Sequence, residues 1–417
     1  MKKIVLLLTL LVVASFADKY DEAAYLLAEG SKLHDSGRYD EAIAKYKEAD
    51  KLTPNDALIL YEISFSNYAK KNYKDAAEYG KLALAVNKDP ILDGHIVGML
   101  GSIYDLMGDQ KTALKYFDDG YSRSPWNYML CFNAGVTSVS AKNDSLARVW
   151  FLRSAENTKT HETTYASLMQ NSAKLGLWID LFAYGLYTKF ITQKTEIKQQ
   201  TVKLLHRIPK NMVSMDSVGK DGKKHISINL NPSNGSDVHM AFMLTIATTI
   251  AADSVGNHRL YEADSNGEHL FHFLTTISKT AIEIFSEFEQ KYYDSPLQTF
   301  YKGLVKEKLI DAFVNLCFAD VDRPSFAQWR LKNDEDAQRF FTWYNETYLP
   351  EASKKNKEAY EKAVAESKAL KDAEKAAQGK TEKPVPLKPP AKNTNGKSKG
   401  KYVPSTNAPP RSPATRG

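Results

Sequence analysis

The sequence predicts a mainly α-helical chain: a solenoid of paired helices, then a small helical domain with one β-hairpin, then a disordered basic tail. Three observations support this fold class. Small residues recur at fixed steps in the first part of the chain, and the middle shows mostly helical apolar spacing. The last residues lose all apolar periodicity and become rich in Lys and Pro.

The solenoid prediction starts from the stretch DSGRYDEAIAKYKEADKLTPN, which begins at Asp35. Ala42, Tyr46 and Ala49 are four and three positions apart, so they share one face of a helix. Pro54 follows and marks the end of that helix. Alanine on a buried face leaves room for the close approach of another element.

A partner helix is visible just upstream, where Leu26, Gly30 and Leu33 form a second apolar stripe. The dipeptide Ser36-Gly37 supplies the turn between the two helices. Two helices joined by a short turn form an αα-hairpin. Such a hairpin cannot bury its apolar face alone, so further copies are expected beside it.

The marker residues of this hairpin recur three more times, at steps of 34, 37 and 34 residues. One marker column is Ala42, Ala76, Ala113 and Ala147. The other column is Gly30, Ser64, Gly101 and Gly135. Because two separate columns keep the same steps, the sequence predicts four stacked hairpins.

This pattern resembles the tetratricopeptide repeat (TPR) family, whose 34-residue unit is a pair of helices that cross at small residues. The resemblance covers four units from Ala23 to His161, and a degenerate fifth runs to about Lys194. In the fifth unit Gly176 occupies the turn, but Leu181 replaces the alanine. The predicted solenoid domain is therefore residues 18–194.

The resemblance implies that the first helix of each unit lines the inner surface of a curved superhelix, which we call the trough. Eight side chains are expected there: Tyr61, Phe65, Tyr68, His95, Ser102, Asp105, Phe132 and Val136. Because aromatic anchors tend to dominate binding, the expected ligand is a protein or peptide segment with apolar anchors. In the alternative interpretation, the middle domain or a terminal helix of the same chain fills the trough.

The trough departs from the subset of the family that clamps the C-terminal carboxylate of a peptide with lysine and asparagine. The corresponding positions include Leu27, Ser31, Tyr61, Phe65, Gly98 and Ser102, none of them basic. A carboxylate clamp is therefore not expected.

The N-terminal residues MKKIVLLLTLLVVASFA have the layout of a secretory signal peptide, with cleavage expected between Ala17 and Asp18. The apolar run is short for a membrane span. The prediction is an exported protein of a bacterial envelope, periplasmic or secreted, with no transmembrane segment after cleavage. The alternative is an uncleaved anchor.

The other end of the chain changes character at Glu351. Residues 351–378 predict an exposed charged helix, and residues 379–417 predict a disordered Lys/Pro-rich tail. From Glu351 to Gly417 there are 16 Lys plus Arg against 7 Asp plus Glu, whereas residues 18–350 carry a net charge of −5. No nucleic-acid partner is expected for such a body. The tail is interpreted either as a ligand for anionic envelope polymer or as a solubilising segment with no partner.

Residues 195–350 are predicted to form a helical domain of unknown family. The segment MVSMDSVGKDGKKHISINL predicts a β-hairpin with its turn at Asp221-Gly222, because Ile226, Ile228 and Leu230 alternate with polar residues. Helices are predicted over residues 237–252, 269–293, 296–318 and 334–348.

No catalytic, cofactor-binding or metal-binding residue is predicted. GxSxG and HExxH motifs are absent from the sequence. His269 and His272 share a helical face, and His258, Glu262 and Asp264 lie upstream, but a metal site needs a further convergent ligand. Cys131 and Cys317 are interpreted as buried thiols, with a single bridge between them as the alternative. A hydrolase or metal enzyme with its site in the middle domain remains the competing hypothesis to a non-enzymatic scaffold.

Overall fold

The computed structural model describes the backbone of residues 2–215, 226–228, 242–250, 267–287 and 295–378. It describes the side chains of residues 19–206, 242–250, 267–287, 295–370 and 372–373. The chain divides into two compact units. The first unit comprises Met1–Lys142 with Lys357–Gly417, and the second comprises Asn143–Asn356.

The first unit opens with seven consecutive helices joined by short turns. They are α1 (Lys2–Asp35), α2 (Tyr39–Leu52), α3 (Ala57–Ala69), α4 (Tyr73–Val86), α5 (Pro90–Leu106), α6 (Gln110–Arg123) and α7 (Tyr128–Ser140). Each helix packs on its neighbour in sequence, and each odd-numbered helix also contacts the next odd-numbered one. The odd-numbered helices α1, α3, α5 and α7 therefore form one continuous row.

The turns between paired helices repeat one backbone conformation. Gly37, Lys71, Gly108, Lys142 and Gly176 all have positive φ values, of 75°, 66°, 84°, 58° and 68°. Their spacing follows the steps of the marker columns and continues into the fifth pair. The left-handed conformation lets the chain reverse immediately after a helix, and glycine adopts it without steric cost.

The marker columns are the helix crossings. All four marker alanines are fully buried: Ala42, Ala76, Ala113 and Ala147. A Cβ atom added at Gly101 would stand 2.5 Å from Cε1 of Phe117, and one at Gly30 would overlap the ring of Tyr46. These glycines are required because an aromatic ring of the partner helix rests directly on the backbone.

The second unit is also helical. Its elements are α8 (Asp144–Asn157), α9 (Glu162–Leu175), α10 (Trp178–Ile191), α11 (Thr195–Met212), β1 (Val213–Met215), β2 (Ile226–Ile228), α12 (residues 242–250), α13 (Gly267–Glu287), α14 (Gln298–Lys306), α15 (Ile310–Phe318), α16 (Arg323–Thr342) and a π-helical turn (Trp343–Tyr348). The last helix, α17 (Leu349–Gln378), begins in this unit and continues in the first.

Helix α10 is the centre of the second unit. Every residue from Ile179 to Lys189 is buried, and the helix contacts α9, α11, α13 and α15. Lys189 is included, and its ammonium group pairs with the carboxylate of Asp320. Leu181 therefore replaces the alanine of the other pairs in a helix that is covered on all sides.

The middle of the chain differs in detail from the sequence prediction. The helix predicted over residues 296–318 is two helices, α14 and α15, because Lys308 between them adopts a positive φ of 56°. The hairpin is reduced to three-residue strands that pair antiparallel, with Val213 opposite Ile228. Its predicted turn at Asp221-Gly222, and the predicted tail over residues 379–417, lie outside the described residues.

Within the described part of the chain, no helix combines the length and apolar character needed to cross a membrane. Helix α1 is continuous from Lys2 and therefore includes the segment predicted as a signal peptide.

Candidate functional site: the trough on the odd-numbered helices

The α3 part of the trough is a ladder of aromatic rings. Tyr61, Phe65 and Tyr68 are four and three positions apart, so they lie along one face of α3. The centroids of Tyr61 and Phe65 are 6.0 Å apart, and those of Phe65 and Tyr68 are 6.4 Å apart. Both pairs are stacked. The three rings therefore form a continuous wall.

The wall extends to α1 through His34, a residue that the sequence analysis did not single out. The imidazole of His34 stacks on Phe65 with centroids 4.7 Å apart, and its Nδ1 lies 2.7 Å from Oγ of Ser66. The signal for it was present, because His34 precedes Tyr68 by one 34-residue step. The equivalent position carries a ring in both units.

The α5 part of the trough is lined by small and polar groups. Oγ of Ser102 donates to the carbonyl oxygen of Gly98 over 3.0 Å, and Nδ2 of Asn133 in α7 donates to Ser102 Oγ over 3.4 Å. A Cβ atom added at Gly98 would meet no atom within 4 Å. The trough therefore has an open position at Gly98, unlike the packed crossing at Gly101.

The titratable groups of α5 are partly desolvated. Burial lowers the pKa of His95, with Asp89 opposing the shift, so that the imidazole is neutral at pH 7. Burial raises the pKa of Asp105, while a hydrogen bond from Thr137 in α7 opposes that shift. Oδ1 of Asp105 is buried and has no hydrogen-bond donor among the described residues. The trough thus offers a hydrogen-bond acceptor and no basic group.

The eight predicted residues differ in burial. Three rings are almost fully covered, since Tyr61 is 2 % exposed, Phe65 is 5 % exposed and Phe132 is 4 % exposed. The other five residues are partly exposed: Tyr68, His95, Ser102, Asp105 and Val136. The structure thus places all eight on the row of odd-numbered helices. That they bind a partner stays a prediction.

The other candidate sites gather no further ligands in the described structure. His269 is half-buried and His272 is exposed on α13, while His258, Glu262 and Asp264 lie outside the described residues. Among the residues that were described, no group of three or more His, Cys, Asp or Glu side chains could hold a metal ion. Cys131 and Cys317 are both buried free thiols, so the alternative of a bridge between them is not realised.

Comparison with known proteins identifies the repeat. A family model described as a TPR repeat matches residues 30–71. The solved structure of MamA is 17 % identical, with 42 % of this chain and 96 % of MamA covered and a TM-score of 0.36. YrrB, titled a TPR protein with an unusual peptide-binding site, is 17 % identical, with 46 % of this chain and 97 % of YrrB covered and a TM-score of 0.37.

PilF of Pseudomonas aeruginosa is 14 % identical, with 46 % of this chain and 86 % of PilF covered and a TM-score of 0.41. No curated protein is similar enough in sequence to count as a match. The N-terminal part of the chain is thus a tetratricopeptide-repeat region, matched by the family model at residues 30–71 and continued by the recurring crossings and turns as far as Gly176.

Proposed function

We propose that the chain is an exported, non-enzymatic scaffold of a bacterial envelope that binds a segment of another protein in the trough. The TPR region supports the general role in protein–protein interaction. The open position at Gly98 carries the finer proposal, because it leaves room for a ligand side chain on α5, between the aromatic residues of α3 and α7. Export rests on the sequence of the first 17 residues.

The chemistry of the trough defines the kind of segment it would bind. Aromatic rings on α3 and α7 favour apolar side chains, which gain free energy by leaving water. The unpaired Oδ1 of Asp105 favours a hydrogen-bond donor near those side chains. Since the trough carries no Lys or Arg among its eight residues, an acidic ligand is disfavoured.

The experiment blocks the trough without disturbing the core. Gly98→Trp places a large side chain where an added Cβ meets no atom, and Lys115→Trp places the same side chain on the exposed face of α6. Proteins crosslinked to each full-length variant in cells are identified, and the melting temperature of each variant is measured.

We expect Lys115→Trp to retain the partners of the unaltered chain and Gly98→Trp to lose them, with the melting temperature of both variants close to that of the unaltered chain. Equal recovery of partners by the two tryptophan variants would contradict binding in the trough. Detection of the mature N-terminus at Asp18 in the envelope fraction tests export separately, and an intact N-terminus in the cytosol would contradict it.

A further inference from the structure

Helix α17 is predicted from sequence to be exposed, yet one of its faces is covered. Ala363 is 2 % exposed and Ser367 is 5 % exposed, whereas the neighbouring Tyr360 and Val364 are 44 % and 41 % exposed. Ala363 and Ser367 are four residues apart and therefore lie on the same face. This face packs against another part of the protein.

The covered face lies in the first unit. From Lys357 onward α17 belongs to the same compact unit as α1–α7. The preceding turn of the helix is anchored in the second unit, where Nδ2 of Asn356 donates to the carbonyl oxygen of Asn157 over 2.7 Å. The helices available to cover Ala363 and Ser367 within their own unit are those of the repeat region.

The trough has the matching feature, a set of covered rings. The even-numbered helices α2, α4 and α6 pack on the odd-numbered row. Tyr61, Phe65 and Phe132 are nevertheless buried at positions that the TPR register assigns to the opposite, inner side of the row. An additional element on that side is needed to exclude water from them.

We propose that α17 lies in the trough, with Ala363 and Ser367 facing the rings of α3 and α7. Large side chains on one surface pack best against small side chains on the other, because the two then interdigitate without a void. Ala363 and Ser367 let the backbone of α17 approach the rings closely. The long charged side chains of the helix remain on its solvent side.

This inference rests on the proposed function and specifies its partner. A ligand of the trough must displace α17, so the partner segment is a helix with small residues four positions apart, flanked by charged residues. The tethered α17 competes at an effective concentration of order millimolar, which weakens the apparent affinity of a free ligand. Binding therefore strengthens when α17 is released.

The test uses a fluorescently labelled synthetic peptide of residues 357–378 and three full-length proteins. The first protein is unaltered. The second carries Ala363→Arg and Ser367→Arg on the covered face of α17. The third carries Ala365→Arg and Ala369→Arg, which add the same charge at exposed positions of the same helix. Fluorescence anisotropy measures peptide affinity, and circular dichroism measures folding.

We expect the covered-face variant to bind the peptide at least ~10-fold more tightly than the unaltered protein does, because its own helix no longer competes. The exposed-face variant should behave like the unaltered protein, and Gly98→Trp added to the covered-face variant should reduce binding. Equal affinities for all three proteins, or no binding to any, would overturn the assignment of α17. If the arginine variant unfolds, Ala363→Gln with Ser367→Gln carries the same test.

The outcomes separate this inference from the proposed function. Peptide binding that depends on displaced α17 and on Gly98, without any crosslinked partner in cells, supports α17 in the trough and refutes the scaffold role. Partners that are lost in Gly98→Trp, without any peptide binding, support the scaffold role and refute α17 as the occupant.

Discussion

The two units bury their side chains in different ways. In the first unit each helix meets its neighbours along stripes, and the closest crossings pair a glycine with an aromatic ring, as Gly101 does with Phe117. In the second unit α10 is buried on all sides, and aromatic rings from distant segments surround it. The first design repeats one local contact, whereas the second gathers many unlike contacts around one helix.

This difference explains which unit is legible in the sequence. A repeated crossing imposes the same residue type at the same spacing, so columns of small residues appear. A helix that is covered on all sides has no polar face, so its apolar residues show no helical period. Residues 178–191 read as the run WIDLFAYGLYTKFI, which could not be assigned a face from sequence alone.

The largest expected effect is in the aromatic core of the second unit. Phe313 is fully buried, with its ring centroid 5.1 Å from that of Phe300 and 5.6 Å from that of Phe190. Phe313→Ala should lower the free energy of unfolding by about 3–5 kcal/mol, because it removes buried apolar surface and leaves a cavity. Chemical denaturation measures the loss. Leu331→Ala is the control, since Leu331 is 86 % exposed. Similar losses in both variants would contradict the contrast between core and surface.

A second variant tests the crossings of the first unit. Ala113 is fully buried where α6 packs on α5, whereas Lys115 is exposed on the same helix. Ala113→Leu should cost roughly 1–3 kcal/mol, because the close crossing has no room for a larger side chain. Lys115→Leu should change stability far less. Thermal denaturation compares the two variants, and equal melting temperatures would count against the repeat register.

The smallest expected effect is a pH dependence from Lys159, a buried lysine of the second unit. Its ammonium group donates to the carbonyl oxygens of Ala155, over 2.8 Å, and Pro296, over 3.4 Å. Burial lowers the pKa of Lys159 to about 8, and Glu156 opposes the shift. Between that pKa and the higher value of the unfolded chain, the unfolded state holds a proton that the folded state has lost. The free energy of unfolding therefore rises with pH in this window.

From pH 7 to 9 this contribution should amount to about 1 kcal/mol. It should be absent from Lys159→Met and retained in Lys203→Met, which removes an exposed lysine. Urea denaturation at both pH values gives the comparison. A pH dependence that is unchanged in Lys159→Met would show that the folded protein does not hold this lysine in a desolvated site.

Much of the trough was predictable because it follows from the repeat. The step that relates the marker alanines also relates His34 to Tyr68, and the aromatic wall on α3 was expected from residue spacing alone. The burial of Tyr61, Phe65 and Phe132 was not predictable, because exposure depends on what lies over the trough. The break between α14 and α15 was also missed, since Lys308 is not a residue type that signals a positive φ.

By itself the sequence determined the helix pairs, their turns and the crossings of the repeat region. These features depend on contacts between residues that are near in the chain, and each repeat restates them. Tertiary structure alone decided the centre of the second unit and the covered face of α17. Oη of Tyr184 lies 3.3 Å from Oγ of Ser295, and Oη of Tyr301 donates to the carbonyl oxygen of Ala183 over 2.5 Å. Contacts between residues more than a hundred positions apart leave no recurring spacing, because nothing repeats them along the chain.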